Sequence, residues 1–336
     1  MRDLPELIIL DVGHGNCALI RDTEAVTIID CPPTTILLET LTQLNINSID
    51  QILISHADLD HASGLPALLG EIVVHEVYIN PDATKKNKAW REIRAALTLA
   101  EMKGTVVHTS LTSALSRKIR SGTVEIEILA PSSAVALGGA GGEDLEGRSL
   151  TSNAMSVVIR LIHDDSRVAL LPGDVDDVGL DNLLRTQRNI EAQILVFPHH
   201  GGKARTISDK VFAQKLCELV KPSLVLFSMG RNRFDNPREH IMQGVVSTVP
   251  DAHIMCTQLS EKCAAELPTS KIAHFANLPA HGSRGSNTCC CGGSISIQIN
   301  GKQTTYLPPL DLHRQFVMNR NNVPTPLCLR HLDRQV

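Results

Sequence analysis

The chain has 336 residues, 43% of them hydrophobic and 3% aromatic, and a formal net charge of −4. That is enough apolar material for one large α/β domain, or one domain with a small appendage. The charge excludes a global attraction to nucleic acid and leaves only a local basic groove as a place for phosphates. Apolar runs such as 169–171 and 224–227 are far shorter than the roughly 18 to 20 residues that span a bilayer.

The N-terminal segment 1–6 lacks the basic start and apolar core of a signal peptide, so a cytoplasmic location is expected. The nine cysteines are accordingly expected as reduced thiols or metal ligands rather than a disulfide framework.

In chain order, short strands are predicted at 7–12, 17–20 and 26–29, a helix at 35–44 and a strand at 51–54. The end of that last strand delivers His56-Ala57-Asp58-Leu59-Asp60-His61 into a loop before a helix at 62–69. Strands follow at 72–79, 105–108 and 124–129, with an amphipathic helix at 88–102. The basic stretch 85–91 is the solvated face and approach of that helix. Residues 131–153, rich in Gly, Ser and acidic side chains, read as a mobile surface loop.

A hairpin is predicted from strands 155–162 and 167–171 around the turn His163-Asp164-Asp165. It ends in Pro172-Gly173-Asp174. A helix at 178–186 leads to a strand at 193–197 that carries Pro198-His199-His200-Gly201. Helices at 210–220 and 239–248 alternate with strands at 223–228 and 252–256, and a last strand is predicted at 294–299. The division expected is a hydrolase domain over 1–256 and a cysteine-containing C-terminal extension and tail over 257–336.

In an extended loop, residues two apart face the same way. His56 and Asp58 therefore converge on one ion, while Asp60 and His61, at the turn into the helix, face a second. A polar turn that only caps a helix needs one carboxylate, not two flanked by two imidazoles. Asp174 and the pair His199/His200 stand at other strand ends, where an α/β sheet brings loops to a common edge. Imidazole plus carboxylate suits a catalytic site for Zn²⁺, Mn²⁺ or Fe with open positions for water. Asp11 and Asp30 are expected to fix loops beneath the site.

These residues resemble the metallo-β-lactamase superfamily, specifically the soluble hydrolase domain of ComEC-type DNA-uptake competence proteins. The resemblance covers about residues 7–256. It rests on Asp11-Val12-Gly13-His14-Gly15-Asn16, Ile28-Ile29-Asp30, the His56 to His61 loop, Gly173-Asp174, Pro198-His199-His200-Gly201 and Ser228-Met229-Gly230-Arg231-Asn232. It implies a four-layer αββα sandwich holding two divalent metal ions, Zn or Mn. By the same resemblance His56 and Asp58 hold the first metal, Asp60 and His61 the second, Asp174 bridges them, and one of His199 and His200 completes the second site.

The chain departs from the family pattern at four places. Asn16 stands where the opening turn usually carries Asp, Asp58 replaces an imidazole, Asn153 stands where the remaining first-site His is expected, and Asn236-Pro237 replaces a late His-Pro, for which His240 is a substitute.

Arg231 and Arg233, after a strand aimed at the metals, are candidates to clamp a phosphate, with Asn236 as a further substrate contact. Asp60, His199, His200 and Arg231 are the candidate catalytic groups. Cys256, Cys263, Cys289, Cys290 and Cys291 are candidates for a structural zinc site, although they lack the tight C-x-x-C pair. The activity the resemblance implies is hydrolysis of a phosphodiester, DNA in the first instance, through a metal-activated water. Alternatives are a small phosphoester of the phosphorylcholine type as substrate, or a weakly catalytic metal-binding regulatory module.

Overall fold

The computed structural model describes residues 4–82, 87–116, 119–186, 189–231, 233–267, 278–279, 289–300, 304–319 and 326–329. The first half contains β1 (Glu6–Ile9), β2 (Ala18–Arg21), β3 (Val26–Ile29), α1 (Ile36–Gln43), β4 (Ser48–Ile54), α2 (Leu59–Ala62), α3 (Leu65–Glu71), β5 (Val73–Ile79), α4 (Lys88–Met102) and β6 (Val106–His108). Next come β7 (Ile119–Ser121), β8 (Val124–Ala130), α5 (Ser133–Gly138), β9 (Val158–His163), β10 (Ser166–Leu171), α6 (Asp177–Thr186), β11 (Ile194–Val196) and α7 (Asp209–Val220). The chain continues through β12 (Leu224–Phe227), α8 (Glu239–Thr248), β13 (His253–Cys256), β14 (Ile295–Gln298), β15 (Thr305–Leu307) and α9 (Leu310–Met318).

The strands form an eight-stranded sheet, β15-β14-β1-β2-β3-β4-β5-β6, and a seven-stranded sheet, β13-β12-β11-β10-β9-β8-β7. Their side-chain alternation builds a four-layer sandwich. Leu7, Ile9, Ile126, Ile128, Ile159 and Leu171 fill one core between the two sheets. Their strand neighbours face outward: Ile8 and Leu10 pack with Ile36 and Leu41 of α1, Leu68 of α3 and Trp90 of α4. On the other sheet Leu170, Leu195 and Val225 pack with α6, α7 and α8. Strands buried on both faces read as continuous apolar runs, as β10 to β12 do.

Local chemistry sets several of these elements. The β9–β10 hairpin closes on Asp164 and Asp165, both with positive φ, because a two-residue loop of that left-handed type matches the twist of the flanking strands. Asn87 caps α4 by accepting the Trp90 backbone N–H at 2.9 Å, and α4 occupies the predicted bounds. Lys85 and Lys86, from the same basic stretch, lie outside the described residues.

Two expectations change. The 131–153 segment contains α5, capped by Ser132, and Arg148 in that segment ties Asp144 to Asp181 at 2.8 Å each. Ionic and capping contacts order it where composition alone indicated a loop. Predicted helix 62–69 begins earlier, as α2 directly after Asp58, and α3 follows.

Beyond Cys256, β14 pairs antiparallel with β1, setting Leu7 opposite Ile297, and β15 pairs with β14. Ile297 is fully buried in the core between the sheets. Ile297→Ala is therefore expected to lower the unfolding free energy of the whole sandwich by about 2–5 kcal/mol, the usual cost of emptying a core position. Urea unfolding followed by tryptophan fluorescence reads this, since Trp90 reports on the opposite face of the first sheet. An unchanged Trp90 transition would show that the segment after residue 256 is energetically separate.

Candidate metal centre

The parallel strands β10, β11 and β12 end at one edge, and β4, parallel to β3 and β5, brings its own following loop to the site. Strand β4 leads into Ser55-His56-Ala57-Asp58, β10 into Gly173-Asp174, β11 into His199-His200 and β12 into Ser228. Asp60, His61, Asp174 and His200 present ligand atoms all within 4.8 Å of one another. His61 Nε2 lies 3.3 Å from Asp174 Oδ1, and His200 Nε2 lies 3.4 Å from Asp60 Oδ2.

The orientation of each imidazole has a cause. His61 Nδ1 is 2.7 Å from Asp30 Oδ2, and Asp30 also accepts the Ser55 backbone N–H and hydroxyl at 2.7 and 2.8 Å. His200 donates Nδ1–H to the Ser228 carbonyl at 2.7 Å. With Nδ1 committed in both rings, Nε2 points its lone pair into the cluster, the arrangement that supporting partners give a metal-ligating histidine. His61 Nε2, His200 Nε2 and Asp174 Oδ1 are buried without a hydrogen-bond partner. Buried polar atoms are ordinarily satisfied, so three converging exceptions in a carboxylate–imidazole set fit a divalent cation.

Around this cluster, His56 Nε2 stands 3.8 Å from Asp58 Oδ2 and 3.9 Å from Asp174 Oδ2. His199 Nδ1 lies 3.3 Å from Asp174 Oδ2 and 2.9 Å from the Asn153 amide. Asp174 thus faces His61 through Oδ1 and faces His56, His199 and His200 through Oδ2. The two adjacent histidines separate cleanly: His200 is buried and joins the four-ligand group, while His199 is 40% exposed at the rim.

Electrostatics follow from these distances. Burial opposes ionisation of Asp174, but His61 and His200 outweigh it and hold the carboxyl well below the usual range. Burial likewise opposes charging of His61, and Asp174 with Asp30 overcomes it, raising that imidazole well above its ordinary value. For Asp60, burial is outweighed by the His14 and His200 imidazoles 3.2 and 3.4 Å away, so its carboxyl is also held low. The site therefore keeps its carboxylates ionised in a largely buried position.

The backbone of the metal loop is pinned from outside. Fully buried Trp90 donates Nε1–H to the Ala57 carbonyl at 2.7 Å, and Asp82 accepts the Ala57 N–H at 2.9 Å. Gly173 has φ +54, and a Cβ there would overlap the Ser156 hydroxyl, which accepts the Asp174 N–H at 3.0 Å. His199 and His200 have φ of 54° and 55°, left-handed values that cost about 1–3 kcal/mol each and tend to collect at functional sites.

His14 was not among the residues singled out from sequence. Its Nε2 lies 3.2 Å from Asp60 Oδ2, and its ring packs on His200 and Phe234 at centroid distances of 4.4 and 4.7 Å. The signal was the glycine pair around it: a Cβ on Gly15 would come within 2.6 Å of the Asp60 carbonyl, so only glycine lets this turn meet the metal loop. Asp11 supports the same turn, accepting the Gly13 N–H at 3.2 Å and the Gln258 amide at 2.8 Å.

Other expected residues lie elsewhere. The Arg231 guanidinium donates to the carbonyls of Leu259, Ala264 and Ala265 at 2.7, 2.8 and 3.0 Å. It braces the chain after β13 instead of reaching a phosphate, because several unpaired carbonyls there compete for its donors. Arg233 is exposed. Asn236 is buried with Oδ1 lacking a partner. Exposed His240 contacts Gln243 on α8 at 3.1 Å. Of the thiols, Cys290 Sγ lies 3.3 Å from Asp11 Oδ2, whereas Cys256, Cys263 and Cys291 meet Cys328 in one cavity, which Cys289 and Cys290 do not line.

Residues 10–153 match the family model of the metallo-beta-lactamase superfamily. Over 214 residues, 62% of this chain, the sequence is 22% identical to ComE operon protein 3 of Bacillus subtilis (strain 168), and the match spans 24% of that protein's length. Among solved structures, the metallo-beta-lactamase fold protein YhfI from Bacillus subtilis superposes with a TM-score of 0.49 at 10% identity, covering 75% of this chain and 96% of that one. Igni18, a metallo hydrolase from the archaeon Ignicoccus hospitalis, superposes at 0.43 with 15% identity, covering 75% and 94%.

The Asp30 contact is separable from ligation. Asp30→Asn is expected to lower divalent-metal affinity about 10- to 100-fold, the usual effect of losing a ligand's supporting partner, with the fold retained. Competition titration against a chromophoric chelator measures it; unchanged affinity would mean that Asp30 does not orient His61.

Proposed function

We propose that the chain is a metal-dependent hydrolase of the metallo-beta-lactamase superfamily, whose family model matches residues 10–153, and that its substrate is a phosphodiester, DNA in the first instance. The observation that carries this reading is an open groove of about 560 Å³ beside the cluster, lined by Asp58 and Asn153 on the metal side and by Lys203 and Arg205. An extended anionic substrate needs positive charge along its backbone and not over the whole protein. Arg205 is partly engaged by Asp176 at 3.7 Å, which leaves exposed Lys203 as the first phosphate contact. The resemblance to ComEC-type domains and the match to ComE operon protein 3 favour DNA over a small ester. Among the described residues no helix is long and apolar enough to cross a membrane.

In this reading His56, Asp58 and Asp174 hold one cation, with Asn153 and His199 at its edge, and Asp60, His61, Asp174 and His200 hold the other. When bound, such a pair supplies Lewis acidity that brings the pKa of water from 15.7 towards roughly 7 and offsets charge on the phosphoryl oxygens. The protein's own groups do the rest. Asp60, held ionised, accepts a hydrogen bond from the attacking water and fixes its direction. His14, packed at a tilt against His200 and in contact with Asp60, keeps that carboxylate in place. His199, half-exposed, next to the groove-lining Asn153 and with its pKa raised by hydrogen bonding to Asp174, is the candidate proton donor to the leaving oxygen. Arg231, held by three carbonyls, has no part in this scheme.

Two outcomes are expected. Metal-loaded protein cleaves DNA and a chromogenic diester, and Asp174→Asn abolishes both while the circular-dichroism spectrum is kept. Lys203→Ala then raises KM for DNA about tenfold, as the loss of one charge-assisted contact of about 1.4 kcal/mol would, and leaves KM for the small diester unchanged. Turnover of small phosphomonoesters with no action on nucleic acids would instead assign a small-ester hydrolase.

The oxygen-rich first site, with Asp58 and Asn153 in place of imidazoles, should also exchange its ion more readily than the second and respond to Mn²⁺. Asp58→His is expected to tighten Zn²⁺ there and to reduce Mn²⁺ stimulation. Equal responses of wild type and variant to both metals would contradict this.

A further inference from the structure

Away from the metal loop, four cysteines from four separate stretches meet. Cys256 ends β13, Cys263 closes a turn on the Ser260 carbonyl, Cys291 follows the turn that pairs Gln258 with Cys290, and Cys328 lies in the 3₁₀ turn Leu327–Leu329. All four line one cavity of about 20 Å³, with Met242, Leu259 and Val317 as apolar walls. That volume holds roughly one water-sized occupant. None of the four is in a disulfide.

Thiols in such a setting resist ionisation. Burial first, then the neighbouring Cys291, Cys263 and Cys328, raises the Cys256 pKa well above its ordinary value. Burial, then Cys263 and Cys291, does the same to Cys328.

A second feature stands beside the sulfurs: His313 Nε2 is 3.2 Å from Cys291 Sγ, and His313 Nδ1 is 3.0 Å from His253 Nε2. Burial, then Arg314, lowers the His253 pKa to about 4 and keeps that ring neutral. With His253 donating Nε2–H to His313 Nδ1, His313 presents an N–H to the sulfur, the supporting bond a thiolate ligand needs.

We propose that Cys256, Cys263, Cys291 and Cys328 form a closed structural site for a soft divalent cation of the Zn²⁺ class, with tetrahedral thiolate coordination. Binding expels the four thiol protons and ties the turn after β13 and the 3₁₀ turn at 327–329 to the edge of the second sheet. Among the described residues only the carboxylate–imidazole cluster already has its ligand atoms within 4.8 Å of one another, so taking up the ion requires the four sulfurs to close inward. The site is independent of the phosphodiester reading, and Cys328, the last thiol in the sequence, replaces Cys289 and Cys290 in the set expected from sequence.

Cobalt substitution of the full chain separates this site from the imidazole–carboxylate centre, because only thiolates give a sulfur-to-cobalt charge-transfer band in the near ultraviolet. The band is expected in wild type and in Cys289→Ser, unchanged in His200→Ala, and weakened by about a quarter in Cys328→Ser, one thiolate of four. The four thiols should also resist a disulfide reagent until a chelator removes the ion. Cobalt-saturated protein without the band would overturn the proposal, as would thiols that react freely with the metal bound or disulfides among the four in non-reducing mass analysis. If Cys328→Ser fails to fold, the wild-type band and thiol protection still decide it.

Discussion

Asp174 is buried to 4% exposure between imidazoles on two sides, and a carboxylate in that position must be charged and compensated to be tolerated. Removing an ion from water costs several kcal/mol even after relaxation. His61 and His200 supply the compensation here, and Asp30 and the Ser228 carbonyl fix how they do so. Each of these partners comes from a different strand end. The site can exist only if both sheets are closed and in register.

The sandwich meets that condition through a few specific ties. Ser55, at the end of β4, links the sheets: its carbonyl accepts the Val157 N–H at 2.8 Å, and its side chain and amide reach Asp30. Asn80 at the end of β5 donates to the carbonyls of Ser55 and Met155, joining the same two strand ends. Trp90 and Asp82 hold the backbone of Ala57 between His56 and Asp58. On the far side the Ser228 hydroxyl donates to the Gly15 carbonyl at 2.7 Å, so the opening turn, the metal loop and the end of β12 form one rigid rim. A site held to its productive geometry needs this kind of support.

Much of this was legible in the sequence because it is local. The amphipathic pattern over 88–102 marked α4, the polar turn at 163–165 marked a hairpin, and the spacing of His56, Asp58, Asp60 and His61 indicated metal binding. Long-range placement was not legible. Strand β14 lies almost 290 residues from its partner β1 in sequence, and no local pattern links them. Arg231 follows a strand aimed at the site, yet carbonyls at 259, 264 and 265 capture its guanidinium. His14 was hidden in a glycine turn whose value lies in the close approach it permits. Which of His199 and His200 turns inward depends on three successive left-handed residues, 199 to 201, a backbone feature that residue types do not announce.

Crystals grown with Mn²⁺ and measured at energies on either side of its absorption edge test the metal centre most directly, because anomalous scattering locates the ion without reference to activity. A peak bounded by Asp60, His61, Asp174 and His200, with a second beside His56 and Asp58 that shares Asp174, is the result this account predicts. Ordered protein in saturating metal with no anomalous density among those four side chains would contradict it.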